Sequence, residues 1–242
     1  MKRKFMALFI SLAMIFSAVI SVPPAKVFAE GVNIPNFADF GLNDDLSGVE
    51  VPVRFELAQY GQQAEIVQSL AKWKRYALKR YGFQPGEGLY TDMDAIRPFE
   101  VLDEIHSIYV DQWDWEKVIA PSDRSLEYLQ QTVNQLYNAF LETEAALVAH
   151  YPKCKAFLPK EITFISSQEL EDRYPTLSPQ KREEVFAKEK GAIFITQIGK
   201  TLCSGKKHDN RAPDYDDWEL NGDLIIWNPV LNSALELSSM GI

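Results

Sequence analysis

Cysteine, histidine and excess positive charge are all scarce in this sequence of 242 residues. The two cysteines, Cys154 and Cys203, form no CxxC pattern, and we interpret them as structural or surface thiols rather than zinc ligands. The three histidines are scattered and do not form a catalytic triad pattern. The formal net charge is −9, whereas sequence-independent DNA binding requires excess Lys and Arg to contact phosphates. We therefore expect neither a zinc module nor a nucleic-acid partner.

Long apolar runs are also missing, except at the N-terminus. Lys2, Arg3 and Lys4 precede an almost wholly apolar stretch from Phe5 to Val22, and Val27-Phe28-Ala29 then supplies a small-x-Ala cleavage site. These three parts predict a secretory signal over residues 1–29, followed by one domain over residues 30–242. An uncleaved membrane anchor is the minor alternative, because the apolar stretch is near the short limit for a span. We expect no stable membrane association.

Hydrophobic periodicity predicts seven strands and three helices. The predicted strands cover residues 49–57, 63–68, 106–115, 162–166, 192–198, 223–230 and 234–239. The predicted helices run from a Ser69 cap to Gly82, onward from Ser122 or Asp123, and from Ser178-Pro179 to Gly191. Residues 81–98 are interpreted as a loop. Because strands outnumber helices without regular βαβ alternation, the pattern favours an α+β fold with a mainly antiparallel sheet flanked by helices.

The start of the helix at Ser69 is the first candidate site. Lys72 lies in its first turn and Lys74 just beyond, where cations oppose the helix dipole. Free N–H groups with two ammonium groups would bind an anion. A solvated basic helix is the competing interpretation, and spacing alone slightly favours it.

A second candidate is the pair Gln112 and Asp114 in a predicted strand. Residues two apart on a strand share one face, so Trp113 and Trp115 would occupy the other. A carboxylate beside an amide suits the amino or carboxamide group of a small ligand. A solvent-facing polar stripe is equally compatible with the spacing.

A third candidate is the Asp-rich segment 208–218, which has four aspartates around Arg211. Those aspartates are Asp209, Asp214, Asp216 and Asp217. Two predicted strands follow it, and they carry Asp223, Glu236 and Ser238. Clustered oxygen ligands suit Mg²⁺ bound to nucleotide phosphates, although Asp is also an ordinary turn residue. Glu236 lies in a strand that looks core-forming, where an acid is seldom buried without a partner, so we favour function here.

Arg97, before Pro98 in the predicted 81–98 loop, is the fourth candidate. The glycines of this segment are not spaced as a P-loop or a dinucleotide fingerprint. Arg97 is a candidate phosphate contact, although a lone arginine would otherwise be a surface residue.

Whole segments of the chain resemble the ammonia-dependent asparagine synthetase (aspartate–ammonia ligase) family. They are NDDLSGVEVPV, VQSLAKWKRYAL, PGEGLYTDMDAIRP, HSIYVDQWDWE, LPKEITFISSQEL, RAPDYDDWELNGD and WNPVLNSALELSSMGI, and they extend from about Gly41 to Ile242. The resemblance implies a catalytic domain like that of class II aminoacyl-tRNA synthetases, a cytoplasmic location and a homodimer. It implies that ATP adenylates the β-carboxylate of L-aspartate, releasing pyrophosphate, and that ammonia then displaces AMP to give L-asparagine.

The resemblance also implies roles for individual residues. Asp44 would neighbour the amide or incoming ammonia, and Arg97 would contact the adenylate phosphate, with Lys74 as a third catalytic residue. L-Aspartate and its surroundings would be contacted by Ser69, Lys72, Lys74, Gln112, Asp114, Arg211, Asp216 and Ser238. Asp223 and Glu236 would belong to the ATP side, with Glu236 holding Mg²⁺.

Two departures from the family pattern predict an incomplete member, truncated at both ends. The leader replaces the helix and strand with which family members begin, and the sequence stops at Ile242 before a glycine-rich segment with an ATP-binding arginine. These departures make the dimer doubtful, and a secretory leader conflicts with a cytoplasmic, ATP-using enzyme. The alternative function is therefore a non-catalytic remnant that lacks part of the ATP site. A tRNA-charging relative is less favoured, because no anticodon-binding domain or basic surface is evident.

Overall fold

The computed structural model describes Asp44 and residues 46–103, 105–212 and 215–242. The predicted leader and its boundary at residue 30 lie outside these residues. The described chain divides into two compact units. The N-terminal unit comprises described residues up to Ser125 together with those of 210–217, and the C-terminal unit comprises residues 126–209 and 218–242. No described helix has the length and apolar character needed to cross a bilayer.

The N-terminal unit contains two antiparallel strand pairs and one helix. Its elements are β1 (Arg54–Leu57), β2 (Gln62–Glu65), α1 (Ala71–Arg80), β3 (Gly88–Ile96) and β4 (Tyr109–Lys117). β1 pairs with β2, and β3 pairs with β4 in a register that sets Thr91 opposite Asp114 and Met93 opposite Gln112. Gln112 and Asp114 therefore share a face of this ribbon, as predicted. α1 packs against both β3 and β4.

The interpretation of residues 81–98 as a loop is wrong. Most of this segment is β3, whose residues alternate between exposed Asp92 and Asp94 and buried Met93 and Ala95. The glycines and proline before residue 88 obscure this alternation in the sequence, and the strand is stabilised by pairing with β4, which lies farther along the chain.

The C-terminal unit contains a four-stranded sheet with helices packed on it. Its elements are α2 (Leu126–His150), β5 (Thr163–Ser166), α3 (Ser167–Arg173), α4 (Pro179–Lys190), β6 (Ala192–Thr196), β7 (Asn221–Asn228) and β8 (Ser233–Gly241). The strand order is β5-β6-β7-β8, with β5 and β6 parallel and the other two pairings antiparallel. The predicted α+β fold with a mainly antiparallel sheet is confirmed.

Two apolar clusters flank the central strand β6. Leu129, Val133 and Tyr137 of α2 pack with Phe194 on one side. On the other side, the second cluster joins Leu170, Phe186, Ala187, Ile193, Ile195, Ile198 and Ile225. All five residues of β6 are buried, which explains why its sequence is a continuous apolar run rather than an alternating one.

Helix boundaries were predicted well only where a local cap defines them. α4 begins after Ser178, whose hydroxyl accepts a hydrogen bond from the Lys181 N–H, and ends at Gly191 with φ of 82°, as predicted. The N-cap of α1 is Leu70 rather than the predicted Ser69, which instead accepts a hydrogen bond from the Ala71 N–H.

Two further helices differ from what the sequence predicted. The long helix α2 begins at Leu126 rather than at Ser122 or Asp123, because Pro121–Asp123 forms a separate 3₁₀ turn. The helix α3 was not predicted, although the sequence contains its capping box. Ser166 accepts from the Glu169 N–H, and the Glu169 carboxylate accepts from the Ser166 N–H.

Candidate functional site

A buried ion pair joins α1 to the β3–β4 ribbon. Lys74 is 0% exposed, and its ammonium group pairs with Asp114 while donating to the Thr91 hydroxyl at 3.2 Å. The Asp114 side chain retains 22% exposure. A fully buried ammonium requires a partner, because desolvation strongly disfavours an unpaired charge. The part-exposed carboxylate of Asp114 therefore lies between a buried cation and the surface of this unit.

Asp44 is also fully buried and accepts hydrogen bonds at both carboxylate oxygens. Its Oδ1 accepts from the Leu46 N–H at 2.9 Å, and its Oδ2 accepts from the Tyr215 hydroxyl at 2.7 Å. An ionised carboxylate has about four acceptor positions, and the bonds within the described residues occupy two of them. Burial raises the pKa of Tyr215, and the Asp44 charge and its hydrogen bond raise it further, so Tyr215 remains a donor at neutral pH.

Tyr215 is held in turn by two cations of α1. Arg75 donates to the Tyr215 backbone oxygen at 2.8 Å, and its guanidinium carbon lies 5.0 Å from the centre of the Tyr215 ring. The ammonium nitrogen of Lys72 lies 5.9 Å from the same centre. Lys72 and Arg75 are three residues apart and so occupy the same side of the helix. Both distances fit cation–π contacts.

The second partner of Arg75 is Glu116, whose carboxylate lies 3.2 Å from the Arg75 Nε. Burial raises the pKa of Glu116, although the nearby Arg75 charge acts in the opposite direction. Arg75 thus connects Tyr215 to the same ribbon face that carries Asp114.

Arg97 connects the end of β3 to Gln68 and Gln112. Its guanidinium donates to the Gln68 backbone oxygen at 3.3 and 3.2 Å and to the Gln112 side-chain oxygen at 3.3 Å. Gln68 is fully buried, and its amide nitrogen lies 3.4 Å from the backbone oxygens of Asp44 and Glu50. Within the described part of the chain, the Gln68 side-chain oxygen has no hydrogen-bond partner, so this residue carries a buried, unsatisfied acceptor.

The predicted anion site at the start of α1 is not assembled as expected. Lys74 contacts Thr91 and Asp114, whereas Lys72 contacts the Tyr215 ring. Residues two apart on a helix do not face each other, which explains why the two ammonium groups take different partners. Ser69 is buried beside the helix start.

The Asp-rich segment is divided between the two units. Arg211 and Asp216 are half-buried in the N-terminal unit, together with Asp217, which pairs with Arg124. Asp209 belongs to the C-terminal unit, and Asp214 lies outside the described residues. The described residues contain no group of three or more His, Cys, Asp or Glu side chains suited to a metal ion.

The other three predicted residues lie on paired strands of the C-terminal unit. Asp223 is buried on β7 opposite Ser239, and Ser238 is half-buried on β8 opposite Leu224. Glu236 is exposed on β8, so the expectation of a buried acid in a core strand is wrong. Among the described strands β8 lies at the edge of the sheet, and the pairing shifts between Leu224 and Ile225 of β7, where Leu237 is an extra residue in β8.

Sequence reasoning missed four residues that organise the N-terminal unit: Gln68, Arg75, Glu116 and Tyr215. Arg75 and Glu116 had a detectable signal, since Arg75 is three residues from Lys72 and Glu116 continues the alternation of Gln112 and Asp114. Tyr215 had none, because its contact with Asp44 spans 171 residues.

Seven of the predicted site residues lie in the N-terminal unit, within or beside two networks of polar contacts. One network is centred on Lys74 and Asp114, and the other connects Asp44 to Arg97 through Gln68. The seven residues are Asp44, Ser69, Lys72, Lys74, Arg97, Gln112 and Asp114. Carboxylates and an amide on one ribbon face, with cations from α1 and from the end of β3, can bind both ends of a small zwitterion. A buried carboxylate with open acceptor positions can accept N–H groups of a nitrogen-bearing ligand.

Comparison with known proteins identifies relatives over most of the chain. A family model described as aspartate–ammonia ligase matches residues 30–242. Proteins named aspartate–ammonia ligase from Bacillus cytotoxicus, Bacillus mycoides and Bacillus cereus are each 58% identical over 202 residues. That match covers 84% of this chain and 62% of each relative, so the chain spans less than two thirds of their length.

A solved structure of Entamoeba histolytica asparaginyl-tRNA synthetase, in complex with asparaginyl-adenylate, also matches. It has a TM-score of 0.45 and 13% sequence identity, and the match covers 78% of this chain and 45% of that one.

Proposed function

This chain belongs to the aspartate–ammonia ligase family, and we propose that it converts L-aspartate, ammonia and ATP into L-asparagine, AMP and pyrophosphate. The observation that carries the proposal is the buried Lys74 ammonium paired with part-exposed Asp114, beside Gln112 and Arg97. The 58% identity to proteins named for this reaction supports it.

The proposed reaction has two balanced steps. In the first, an oxygen of the aspartate β-carboxylate bonds to the α-phosphorus of ATP, and the bond to the departing pyrophosphate breaks. In the second, the nitrogen of ammonia bonds to the acyl carbon, the carbon–oxygen bond to AMP breaks, and the nitrogen loses a proton. The carboxylate oxygen therefore leaves on AMP.

The Lys74 side of the N-terminal unit would bind L-aspartate. Asp114 and Gln112 would accept hydrogen bonds from its α-ammonium group, because both present oxygens on the same ribbon face. Lys74 would pair with a substrate carboxylate, with Ser69 and Lys72 nearby. The ion pair with Asp114 holds the Lys74 ammonium at a fixed position on α1, so the cation is already in place when substrate arrives.

Arg97 would stabilise charge on the adenylate phosphate. Its guanidinium is oriented by the Gln68 backbone oxygen and by Gln112, and a positioned cation stabilises charge that develops in the transition state. Arg211 and Asp216, in the same unit, would complete the substrate side.

In the C-terminal unit, Asp223 and Glu236 would contact ATP, and Ser238 would contact the substrate. Glu236 would supply a carboxylate to Mg²⁺, and its exposure on β8 suits an ion that keeps most of its ligands as phosphate oxygens and water. Mg²⁺ would neutralise phosphate charge when ATP is bound.

Asp44 would receive ammonia. Its open acceptor positions would orient the N–H groups of the nucleophile, and its carboxylate would accept the proton released after attack. A homodimer and a cytoplasmic location form part of the same proposal, because both follow from family membership.

An isotope experiment on the purified chain tests the reaction and its mechanism together. L-Aspartate labelled with ¹⁸O in the β-carboxylate is incubated with ATP, Mg²⁺ and ¹⁵N-ammonium. We expect ¹⁵N-asparagine and one ¹⁸O atom in the AMP phosphate. Glutamine in place of ammonium is the control donor and should give little product.

Other outcomes of this experiment are equally informative. Asparagine with labelled inorganic phosphate and ADP would contradict the adenylate. Aspartate binding measured by calorimetry, without any product, would contradict the ligase and favour the non-catalytic remnant.

A further inference from the structure

We infer that Tyr215 is a positioning residue, which fixes the orientation of the Asp44 carboxylate for the attack of ammonia. This inference rests on the proposed function and extends it to a residue outside the predicted site. It starts from the hydrogen bond of 2.7 Å from the Tyr215 hydroxyl to Asp44 Oδ2.

The two donors to Asp44 differ in how firmly they fix it. The Leu46 N–H is two residues away and orients Oδ1 through a local turn. With that contact alone, the carboxylate could still turn about its hydrogen-bonded Oδ1, and the position of Oδ2 would not be fixed. The Tyr215 hydroxyl fixes the second oxygen, so the remaining lone pairs of both oxygens point in defined directions.

Tyr215 itself is anchored independently of Asp44. Arg75 holds its backbone oxygen at 2.8 Å and packs on its ring at 5.0 Å, while Lys72 lies 5.9 Å from the ring centre. The hydroxyl can therefore be removed without removing the contacts that hold the ring. This separation makes the positioning role testable apart from folding.

The Tyr215 hydroxyl also keeps its proton near neutral pH, so it remains a hydrogen-bond donor under assay conditions. Burial and the adjacent Asp44 charge raise the pKa of Tyr215 far above neutrality. A hydroxyl with a single proton committed to Asp44 can still accept a hydrogen bond from a ligand N–H. Tyr215 and Asp44 together would thus face the incoming ammonia and, after reaction, the amide of L-asparagine.

Tyr215→Phe is the direct test, because it deletes only the hydroxyl. We expect kcat/KM for ammonia to fall about 10- to 100-fold, as expected for loss of a hydrogen bond to a charged group. The adenylation half-reaction, measured as aspartate-dependent exchange of pyrophosphate into ATP, should change less than about threefold, since Asp44 acts only in the second step.

The matched control is Tyr109→Phe. Tyr109 also donates its hydroxyl to a carboxylate, that of Asp94, but this pair is exposed on the outer face of the β3–β4 ribbon. Both half-reactions should be unchanged in this variant. Circular dichroism should match the wild type for both substitutions, and the half-reactions are measured well below the melting temperature of each variant.

A purely structural role for Tyr215 predicts a different result. Both half-reactions of Tyr215→Phe would then fall by the same factor or not at all, and either result overturns the inference. A second measurement is calorimetric binding of L-asparagine, which Tyr215→Phe should weaken about tenfold and Tyr109→Phe should not.

Failure of the inference can be told apart from failure of the proposed function. If the wild-type chain makes asparagine and Tyr215→Phe makes it with unchanged kcat/KM for ammonia, the ligase stands and the positioning role is wrong. If the wild-type chain neither makes nor binds asparagine, both are wrong.

Discussion

The buried ammonium of Lys74 on α1 pairs with Asp114 of β4, forty residues farther along the chain. The pair connects the helix to the strand ribbon and, under the proposed function, supplies opposite charges for L-aspartate. The two residues of this pair differ in exposure, since the Lys74 side chain is fully buried whereas the Asp114 side chain is partly exposed. This asymmetry leaves the Asp114 carboxylate accessible at the surface of the unit, while the Lys74 ammonium is enclosed.

Lys74→Met should abolish asparagine formation and leave a folded protein. Asp114 loses its cation but remains partly solvated, so the free energy of unfolding should fall by about 1–3 kcal/mol rather than by the larger cost of a wholly buried orphan charge. Product formation by mass spectrometry and unfolding in urea measure the two effects. Lys79→Met, on the exposed end of the same helix, is the control and should change neither. Turnover within twofold of wild type would refute the proposed role of Lys74.

Arg97→Lys should impair adenylation while keeping the positive charge. Lysine cannot reproduce the two-nitrogen contact with the Gln68 backbone oxygen together with the contact to Gln112, so the cation loses its orientation. We expect the rate of pyrophosphate exchange to fall about 100-fold, the scale seen when one positioned donor is lost. Arg80→Lys, exposed at the end of α1, should have no effect. An unchanged exchange rate in Arg97→Lys would show that Arg97 does not contact the phosphate.

Arg182→Met should destabilise the C-terminal unit. Arg182 and Glu171 form an ion pair of 3.0 Å in which both side chains are buried, and Arg182 also donates to the Tyr174 backbone oxygen. Removing the guanidinium leaves a buried carboxylate without its cation, which should cost about 3 kcal/mol. The double variant Arg182→Met, Glu171→Leu should recover much of this loss. Urea unfolding checks both, and an equally unstable double variant would argue against the charge as the cause.

Glu171 should also make the stability of this unit depend on pH. Burial alone would raise the pKa of Glu171, but hydrogen bonds from Ser204 and the Arg182 charge bring it below the ordinary value of 4.5. A lowered pKa in the folded state contributes stability above pH 4.5 that is lost as the pH falls through the folded pKa. The unfolding free energy should therefore drop between pH 6 and pH 3, and less so in Glu171→Gln. Identical pH profiles for the two proteins would exclude this contribution.

Local signals in the sequence predicted local structure well. The ends of α4 follow from Ser178 and Gly191 alone, because a cap acts within one turn. The apolar run of β6 and the shared face of Gln112 and Asp114 were likewise readable from spacing. β3 was missed because its stability comes from a partner strand, and the exposure of Glu236 was missed because edge position cannot be read from one strand.

The candidate site was predictable mainly through family resemblance. Spacing favoured a solvated helix for Lys74, and only the fold shows that its ammonium group is buried. Tyr215 acts through contacts that join distant segments, so no periodicity within a window could reveal it, whereas Arg75 could have been noticed from its spacing to Lys72.

The division of the chain has a practical consequence for expressing its parts. Neither unit is encoded by one continuous stretch of codons, because residues 210–217 interrupt the C-terminal unit and complete the N-terminal one. A fragment ending at Ser125 would lack Tyr215 and leave the Arg75 guanidinium and the Asp44 carboxylate without it. Split versions should therefore regain Asp44 geometry only when a peptide spanning residues 210–217 is supplied, which makes fragment complementation a sensitive reporter of correct assembly.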